Sequence, residues 1–315
     1  MSAAGGPATD GGEGRSHSPY RCGFVAIVGR ANVGKSTLIN QLVGLKIAIV
    51  STVPQTTRQR IVGVRTLDEG QIVFLDTPGF HRPRHRLGDI LLDRARQTLA
   101  EADVLLFVVD AADGVGPGDR FVLEQLDARR GDTPVVFVPN KLDRMNKGRV
   151  LPMIEEAMAD WGCSAAVPVS AETGDNCDRL IDTVVALLPE GPPLYPRGFT
   201  TDQGESRIVA ELIREKLLHR LRQELPHAVA VRVDDMMRRD DDLLQIHATI
   251  FVERKSQKGI VIGHRGAMLK EVGTAARKEL EDRLSEKIFL ELWVKVREDW
   301  RDRPAELRDL GVFLD

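Results

Sequence analysis

Short apolar runs at 24–28, 72–75, 104–109, 135–138 and 166–169 alternate with longer stretches whose apolar residues return every three or four positions. Strand-length runs separated by helical periodicity predict βαβ units, and hence a mostly parallel sheet with helices on both faces. An alternating stretch at 61–66 predicts an antiparallel edge strand. The pattern stops at Leu188, and residues 189–196 carry four prolines, which exclude helix and central strand alike. Beyond them the order changes. Residues 206–225 read as an amphipathic helix with Ser206 as its N-cap, 229–233 and 244–252 as two strands, 267–285 as a helix preceded by a short one, and 288–296 as a third strand. The expected architecture is an α/β domain over 21–189, a Pro-rich linker over 190–201 and a smaller α+β domain over 202–300, between a disordered leader (1–20) and a tail (301–315).

A length of 315 residues suits two domains, each with its own core. Lys plus Arg (44) nearly balance Asp plus Glu (47), so no global basic field exists and any nucleic-acid contact must come from a local patch. The three cysteines, Cys22, Cys163 and Cys177, are too scattered for a disulfide framework or a zinc site and suggest reduced thiols. No apolar run approaches the ~18–20 residues that span a bilayer. A soluble, cytoplasmic, monomeric chain is expected.

The first apolar run ends in Gly29-Arg-Ala-Asn32-Val33-Gly34-Lys35-Ser36, followed by Thr37 and a helical repeat. This is the strand–GxxxxGK[ST]–helix context of a phosphate-binding loop. Backbone amides there curl around a polyphosphate, the helix N-terminus adds its positive end, Lys35 neutralises β- and γ-phosphate charge, and the Ser36 hydroxyl is free to ligate Mg²⁺. Asp76-Thr77-Pro78-Gly79 closes the second run, where the carboxylate reaches the Mg²⁺ shell and the Gly79 amide meets a γ-phosphate.

Asn140-Lys141-Leu-Asp143 and Ser170-Ala171 follow the last two runs, at the carboxyl edge where open α/β sheets bind ligands. The Asp143 carboxylate can accept from guanine N1–H and the 2-amino group, whereas adenine would leave it unpaired, so the expected nucleotide is GTP or GDP. Lys141 is expected on the ring face, Asn140 as a brace, and the Ala171 amide against guanine O6. Between the phosphate loop and Asp76 lies Pro54-Gln55-Thr56-Thr57-Arg58, the first switch, with Thr57 favoured over Thr56 as an Mg²⁺ ligand. Phe80 stands where a glutamine would orient the attacking water, so slow hydrolysis is expected. Asn32 is either a K⁺ ligand or a turn residue. The basic cluster His81, Arg82, Arg84, His85 and Arg86 is either a solvated loop or an RNA-phosphate contact, and Trp161, Trp293 and Trp300 are expected in cores.

In the second domain, Lys258-Gly259-Ile-Val-Ile262-Gly263-His264-Arg265-Gly266 places a GxxG turn between helical patterns after a β pair, with Lys270 one turn beyond. Arg254, Lys255, Lys258, Arg265 and Lys270 are interrupted by no acid. A basic GxxG loop beside an apolar helix and strand makes a groove for about four single-stranded nucleotides.

Together these motifs resemble the Era family of bacterial GTPases, in which a TrmE-Era-EngA-like GTPase domain precedes a type II KH domain. The resemblance covers about residues 21–310. It implies a P-loop GTPase with Mg²⁺ and a ribosome-assembly role. It further implies binding to the 3′ end of small-subunit (16S) ribosomal RNA and to the 30S subunit, gated by the nucleotide, with peripheral membrane association as a secondary property. A GTP-gated membrane or cell-cycle signalling adaptor is the alternative.

Overall fold

The computed structural model describes residues 19–53, 56–77, 79, 86–128, 130–145, 147–222, 225–239 and 243–311. The leader up to residue 18, Gln55, Pro78, Phe80 and the basic cluster at 81–85 lie outside them.

The first half builds β1 (Arg21–Val28), α1 (Lys35–Val43), β2 (Ile61–Thr66), β3 (Gly70–Asp76), α2 (Arg86–Glu101) and β4 (Val104–Asp110). It continues with α3 (Pro117–Asp127), β5 (Val135–Asn140), α4 (Val150–Ala159), β6 (Ala165–Ala166) and α5 (Cys177–Leu187). The sheet order is β2-β3-β1-β4-β5-β6, parallel except for β2, which pairs antiparallel with β3 as expected. Every residue of β4 is buried because helices cover both faces. Leu38 and Leu42 of α1 and Leu180 and Val184 of α5 fill one side; Ala95 and Leu99 of α2, Val122 of α3 and Ala157 of α4 fill the other. The strand expected at 166–169 shortens to Ala165–Ala166, although Val167 and Val169 still donate to Phe137 and Pro139 at 2.9 and 2.8 Å; Pro168 between them has its nitrogen on the open edge of the sheet, where no partner strand lies.

The second half comprises α6 (Glu205–Leu218), β7 (Ala230–Arg238), β8 (Leu243–Val252), α7 (Lys255–Ile262), α8 (Ala267–Leu284), β9 (Lys287–Val296) and α9 (Pro304–Asp309). Its sheet runs β7-β8-β9, with the first pair antiparallel and the second parallel. Leu212 and Ile213 of α6 and Val272 and Ala276 of α8 pack with Ile246 and Ile250 of β8. Helix α6 differs from expectation at both ends. Gly204, not Ser206, is its N-cap, and the helix closes at Leu218, where the Arg220 and Leu221 amides both turn back onto the Leu217 carbonyl at 3.0 and 2.9 Å.

Two of the three tryptophans are core residues. Trp161 stands edge-on to Phe137 at 5.2 Å, and Trp300 is fully buried, donating to the Ala228 carbonyl at 3.2 Å. Trp293 departs from expectation: it sits on the edge strand β9 and is 56% exposed. The Pro-rich linker forms a strap. The buried Gln71 side chain accepts from the Leu194 and Tyr195 amides, both at 2.9 Å, and Tyr195 stacks on Phe199 against Val62 and Val73. Among the described residues no helix is long and apolar enough to cross a membrane.

Candidate nucleotide-binding and RNA-binding sites

The carboxyl edge of the first sheet carries a cleft of about 370 Å³ lined by Asn32, Lys35, Ser36, Thr57, Asn140 and Asp143, among others. The phosphate loop turns there because β1 delivers Gly29 to the sheet edge and Gly34 (φ 96°) opens α1; a Cβ at Gly34 would collide with Asn140 Nδ2. Lys35 is buried and donates to the Gly29 and Arg30 carbonyls at 3.0 and 2.8 Å. Burial pushes its pKa down to about 8, with the Asp76 charge opposing. Gly79 lies against the loop, where an added Cβ would stand 3.2 Å from Lys35 Nζ and 3.3 Å from the Ala31 nitrogen.

Beside the lysine, three side-chain oxygens converge. Ser36 Oγ and Thr57 Oγ1 lie 3.1 Å apart, and both donate to Asp76 Oδ2, at 3.3 and 3.1 Å. Asp76 Oδ1 is buried without a hydrogen-bond partner, and burial raises the carboxyl pKa to about 6 against the pull of Lys35. Thr56 turns away: its hydroxyl donates to the Val53 carbonyl at 2.6 Å, and its own carbonyl accepts from Arg214. Thr77 Oγ1 donates to the Ile27 carbonyl at 2.8 Å, pinning the second switch to β1 at its root. Asn32 has φ 66°, a left-handed turn geometry that asparagine tolerates, and its Nδ2 donates to the Thr52 carbonyl at 2.8 Å.

Asn140 ties the cleft together. Its Nδ2 donates to the carbonyl of the buried Val33 at 2.8 Å, and its Oδ1 accepts from the Ala171 amide at 2.9 Å. The Ala171 N–H, expected against guanine O6, meets Asn140 Oδ1 in this structure. Lys141, left-handed at φ 67°, donates to the Asn32 carbonyl (2.7 Å) and to Asp110 (2.6 Å), which lays its methylene stem along the cleft. Asp143 accepts from the buried Ser170 hydroxyl at 2.6 Å and keeps a quarter of its side chain exposed.

Sequence reasoning missed several lining residues. Glu172 and Arg144 are immediate neighbours of motif residues and could have been found by extension. Nothing local marks His219, the C-cap of α6, which reaches the cleft from the far half of the chain and meets the Val50 carbonyl at 2.9 Å. Arg30 pairs with the buried Asp119 at 3.2 Å and with Asp113 at 2.8 Å, holding the phosphate loop to the start of α3.

In the second half, α7 ends at Gly263 (φ 74°), where a Cβ would stand 2.7 Å from Met268 Cβ. Arg265 and Gly266 are also left-handed, at φ 50° and 81°, and α8 starts at once. The turn thus thrusts His264 and Arg265 into solvent, with Lys270 exposed one turn on and Ile262 half-buried below. Gly259 and Ile260 are exposed on α7 beside Lys258, Ile260 at 55%. Lys258, Arg265 and Lys270 form no ion pair among the described residues, so the patch keeps its positive charge.

The chain matches the family model of the 50S ribosome-binding GTPases over residues 24–141 and that of the KH domain over 224–301. It is 50% identical over 291 residues to the GTPase Era of Heliobacterium modesticaldum, covering 92% of this chain and 97% of that protein. It is also 50% identical over 294 residues to the GTPase Era of Alkaliphilus metalliredigens, covering 93% and 99%. Among solved structures it resembles an Aquifex aeolicus Era variant bound to GDP·AlF4⁻ (TM-score 0.89, 42% identity, 93% of this chain and 100% of that one). A second is Era in complex with MgGDPNP and nucleotides 1506–1542 of 16S ribosomal RNA (TM-score 0.89, 42% identity, 94% and 100%). A phosphate loop, a guanine-directed Asn-Lys-Leu-Asp turn and a KH-type GxxG turn, carried at this identity along nearly the whole chain, make it a member of the Era family of GTPases.

Proposed function

We propose that this GTPase is a ribosome-assembly factor whose KH groove takes the 3′ end of small-subunit ribosomal RNA on the 30S subunit, with the nucleotide state setting the affinity. The observation that carries the reading is the pairing of one nucleotide cleft with one unneutralised GxxG patch in a chain so similar to an Era that was solved with both a GTP analogue and 16S RNA. The GTPase half spans 21–189 and the KH half 202–300, joined by the strap at 190–201.

The cleft residues divide the work by chemistry. The amides of Gly29, Asn32, Val33, Gly34, Lys35, Ser36 and Thr37 face the phosphates with Lys35, while Gly79 meets the γ-phosphate. Asp143 selects guanine by accepting from N1–H and the 2-amino group, and Asn140, Lys141, Ser170 and Ala171 hold that loop in place. The buried, half-unpaired Asp76 with two hydroxyls against it fits a hard divalent cation, so Ser36, Thr57 and Asp76 would hold Mg²⁺. When bound, Mg²⁺ would supply positive charge that stabilises the phosphates. Water is the nucleophile, and catalysis rests on positioning and charge stabilisation with no side-chain base. K⁺ is a candidate second cofactor through Asn32. Lys258, Arg265 and Lys270 contact RNA phosphates, and Gly259, Ile262, Gly263, His264 and Gly266 form the floor and rim of the groove.

The test is fluorescence anisotropy of a labelled 16S 3′-end oligonucleotide with the protein in GTP-analogue and GDP states, against a scrambled strand. Tighter binding of the cognate strand in the GTP-analogue state, weakened at least 10-fold by His264→Asp with Arg265→Asp, is expected. Equal, weak binding of both strands in both states would overturn the reading and favour a signalling adaptor.

A further inference from the structure

The nucleotide cleft is not walled by the GTPase half alone. Val50, Ser51, Thr52 and Val53, which lead into the first switch, line it, and so does His219 at the end of α6, in the KH half. His219 is exposed and makes no ion pair among the described residues, so its part in the structure is what its imidazole touches.

Helix α6 holds that segment at a single residue. Glu215 and His219 stand four positions apart, on one face of the helix, and between them take both backbone polar groups of Val50. The Val50 amide donates to Glu215 Oε1 at 2.9 Å, and its carbonyl accepts from His219 Nε2 at 2.9 Å; a carbonyl carries no proton, so Nε2 must be the donor. Glu215 is fixed in turn, 2% exposed, with Oε2 accepting from Lys46 and Lys216 at 2.7 and 3.0 Å. The chain before Val50 is held by the same half: Gln203 donates to the Ile47 carbonyl at 2.7 Å, and Arg283 of α8 to the Lys46 carbonyl. From the GTPase half, Asn32 Nδ2 reaches the Thr52 carbonyl at 2.8 Å. Residues 50–53 thus lie along the cleft, moored to the KH half at Val50 and to the phosphate loop at Thr52.

We infer that His219 is a positioning residue for the nucleotide: with Glu215 it moors Val50 to the KH half, so that residues 50–53 form a lip that must loosen whenever a guanine nucleotide enters or leaves. The inference rests on the nucleotide reading of the cleft and goes beyond it by giving the KH half a share in exchange. His219 acts here through Val50, not on the ligand, and the two roles have different kinetics. A lip that both entry and exit must pass slows both steps. The bonds to Val50 are made by protein groups only, so loosening them speeds both steps and leaves the equilibrium constant almost unchanged. Loss of a direct contact to the nucleotide speeds release alone. Because the mooring lies in α6, a ligand that shifts the KH half against the GTPase half would change the exchange rate with it.

The probe is GDP carrying an N-methylanthraniloyl fluorophore, mixed with the full chain and Mg²⁺ in a stopped-flow instrument. His219→Ala should raise the association and release rate constants together, about 3- to 10-fold as expected for one hydrogen bond, and leave their ratio within about 2-fold of the parent's. His219→Gln, whose amide N–H can donate to the same carbonyl, should bring both rates back to within about 2-fold of the parent's. Hydrogen exchange of the GDP-bound protein gives a second reading: the amides of residues 51–53 should exchange faster in His219→Ala, with those of β8 unchanged. Rates equal to the parent's, faster release without faster association, or a His219→Gln variant as fast as His219→Ala would each overturn the inference. Failure of the parent to bind the fluorescent GDP at all would instead overturn the nucleotide reading, and this inference with it.

Discussion

Asp76 illustrates how burial sets chemistry one residue at a time. Its folded pKa of about 6 lies above the ordinary 3.8, so the proton favours the folded state. That preference is fully present below about 3.8 and lost as pH rises through about 6, where the ionised carboxylate becomes available to a cation. Mg²⁺ affinity of the GDP complex should therefore fall about 10-fold per unit below pH 6, beyond the fall from the nucleotide's own titration. Asp76→Asn should bind Mg²⁺ weakly and retain only the nucleotide's part of that slope, as read by calorimetry across pH 5 to 8. Asp143 makes the opposite case, since its structural bonds are few: Ser170 at 2.6 Å and Arg144 at 3.9 Å. Asp143→Asn should leave the urea midpoint nearly unchanged while weakening GDP about 100-fold or more, because two charge-assisted hydrogen bonds at ~1.5–3 kcal/mol each are lost. A fluorescent-nucleotide titration reads this directly. Such residues were legible in the sequence because phosphate and guanine chemistry demand fixed types at fixed local spacing. The hydrogen bond from the Ala171 amide to Asn140 was not, since it depends on how two loops meet across the cleft.

Among elements, the strands were legible because a sheet covered on both faces writes continuous apolar runs, as in β4. Ends were less so. The C-terminus of α6 falls within an unbroken apolar repeat that continues through Leu221, which is buried after the helix has closed. Trp293 was misplaced because alternation along β9 assigns residues to faces without saying that one face of an edge strand stays open. The GxxG turn gives a sharper comparison. Gly263 and Gly266 both have positive φ, but only Gly263 is hemmed in, by Met268 Cβ and its amide nitrogen, while nothing lies within 4 Å of a Cβ on Gly266. Gly263→Ala should cost ~1–3 kcal/mol and weaken RNA binding with it. Gly266→Asn, which tolerates the left-handed region, should cost a few tenths of that. Urea midpoints of the two variants, measured side by side, check the contrast.

At the scale of the whole molecule, the halves are joined by an apolar cluster, in which Leu87 and Leu91 of α2 pack with Ala230, Phe251 and Trp300, and by polar contacts concentrated at the first switch and its flanks; none was visible in the sequence because each partner is more than 130 positions away. Lys46 bridges Glu215 and Glu279 at 2.7 and 2.6 Å, and the Val50 amide donates to Glu215 at 2.9 Å. Thr56 is held by Arg214 through its carbonyl, Thr57 reaches Asp76, and Arg58 runs into the KH half to cap the Val229 and His227 carbonyls and lie 5.5 Å over Trp300. Three consecutive residues thus connect Asp76, α6 and the approach to β7. A γ-phosphate that repositions Thr57 must act on Arg58 one residue on, and through it on the segment that leads into the KH sheet. Arg58→Ala should break this connection while leaving Lys35, Ser36, Asp76 and Asp143 in place. Guanine-nucleotide affinity should stay within about 3-fold of the parent, and stability should fall by ~2–4 kcal/mol for two buried hydrogen bonds and a cation–π contact. The RNA affinity ratio between GTP-analogue and GDP states should collapse towards one, because a ligand shifts an equilibrium only through contacts that differ between its states. Anisotropy titrations of parent and Arg58→Ala with the same 3′-end strand measure that ratio. A ratio unchanged from the parent's would place the coupling in the Lys46–Glu215–Glu279 cluster, where Lys46→Met would then be the variant that removes it.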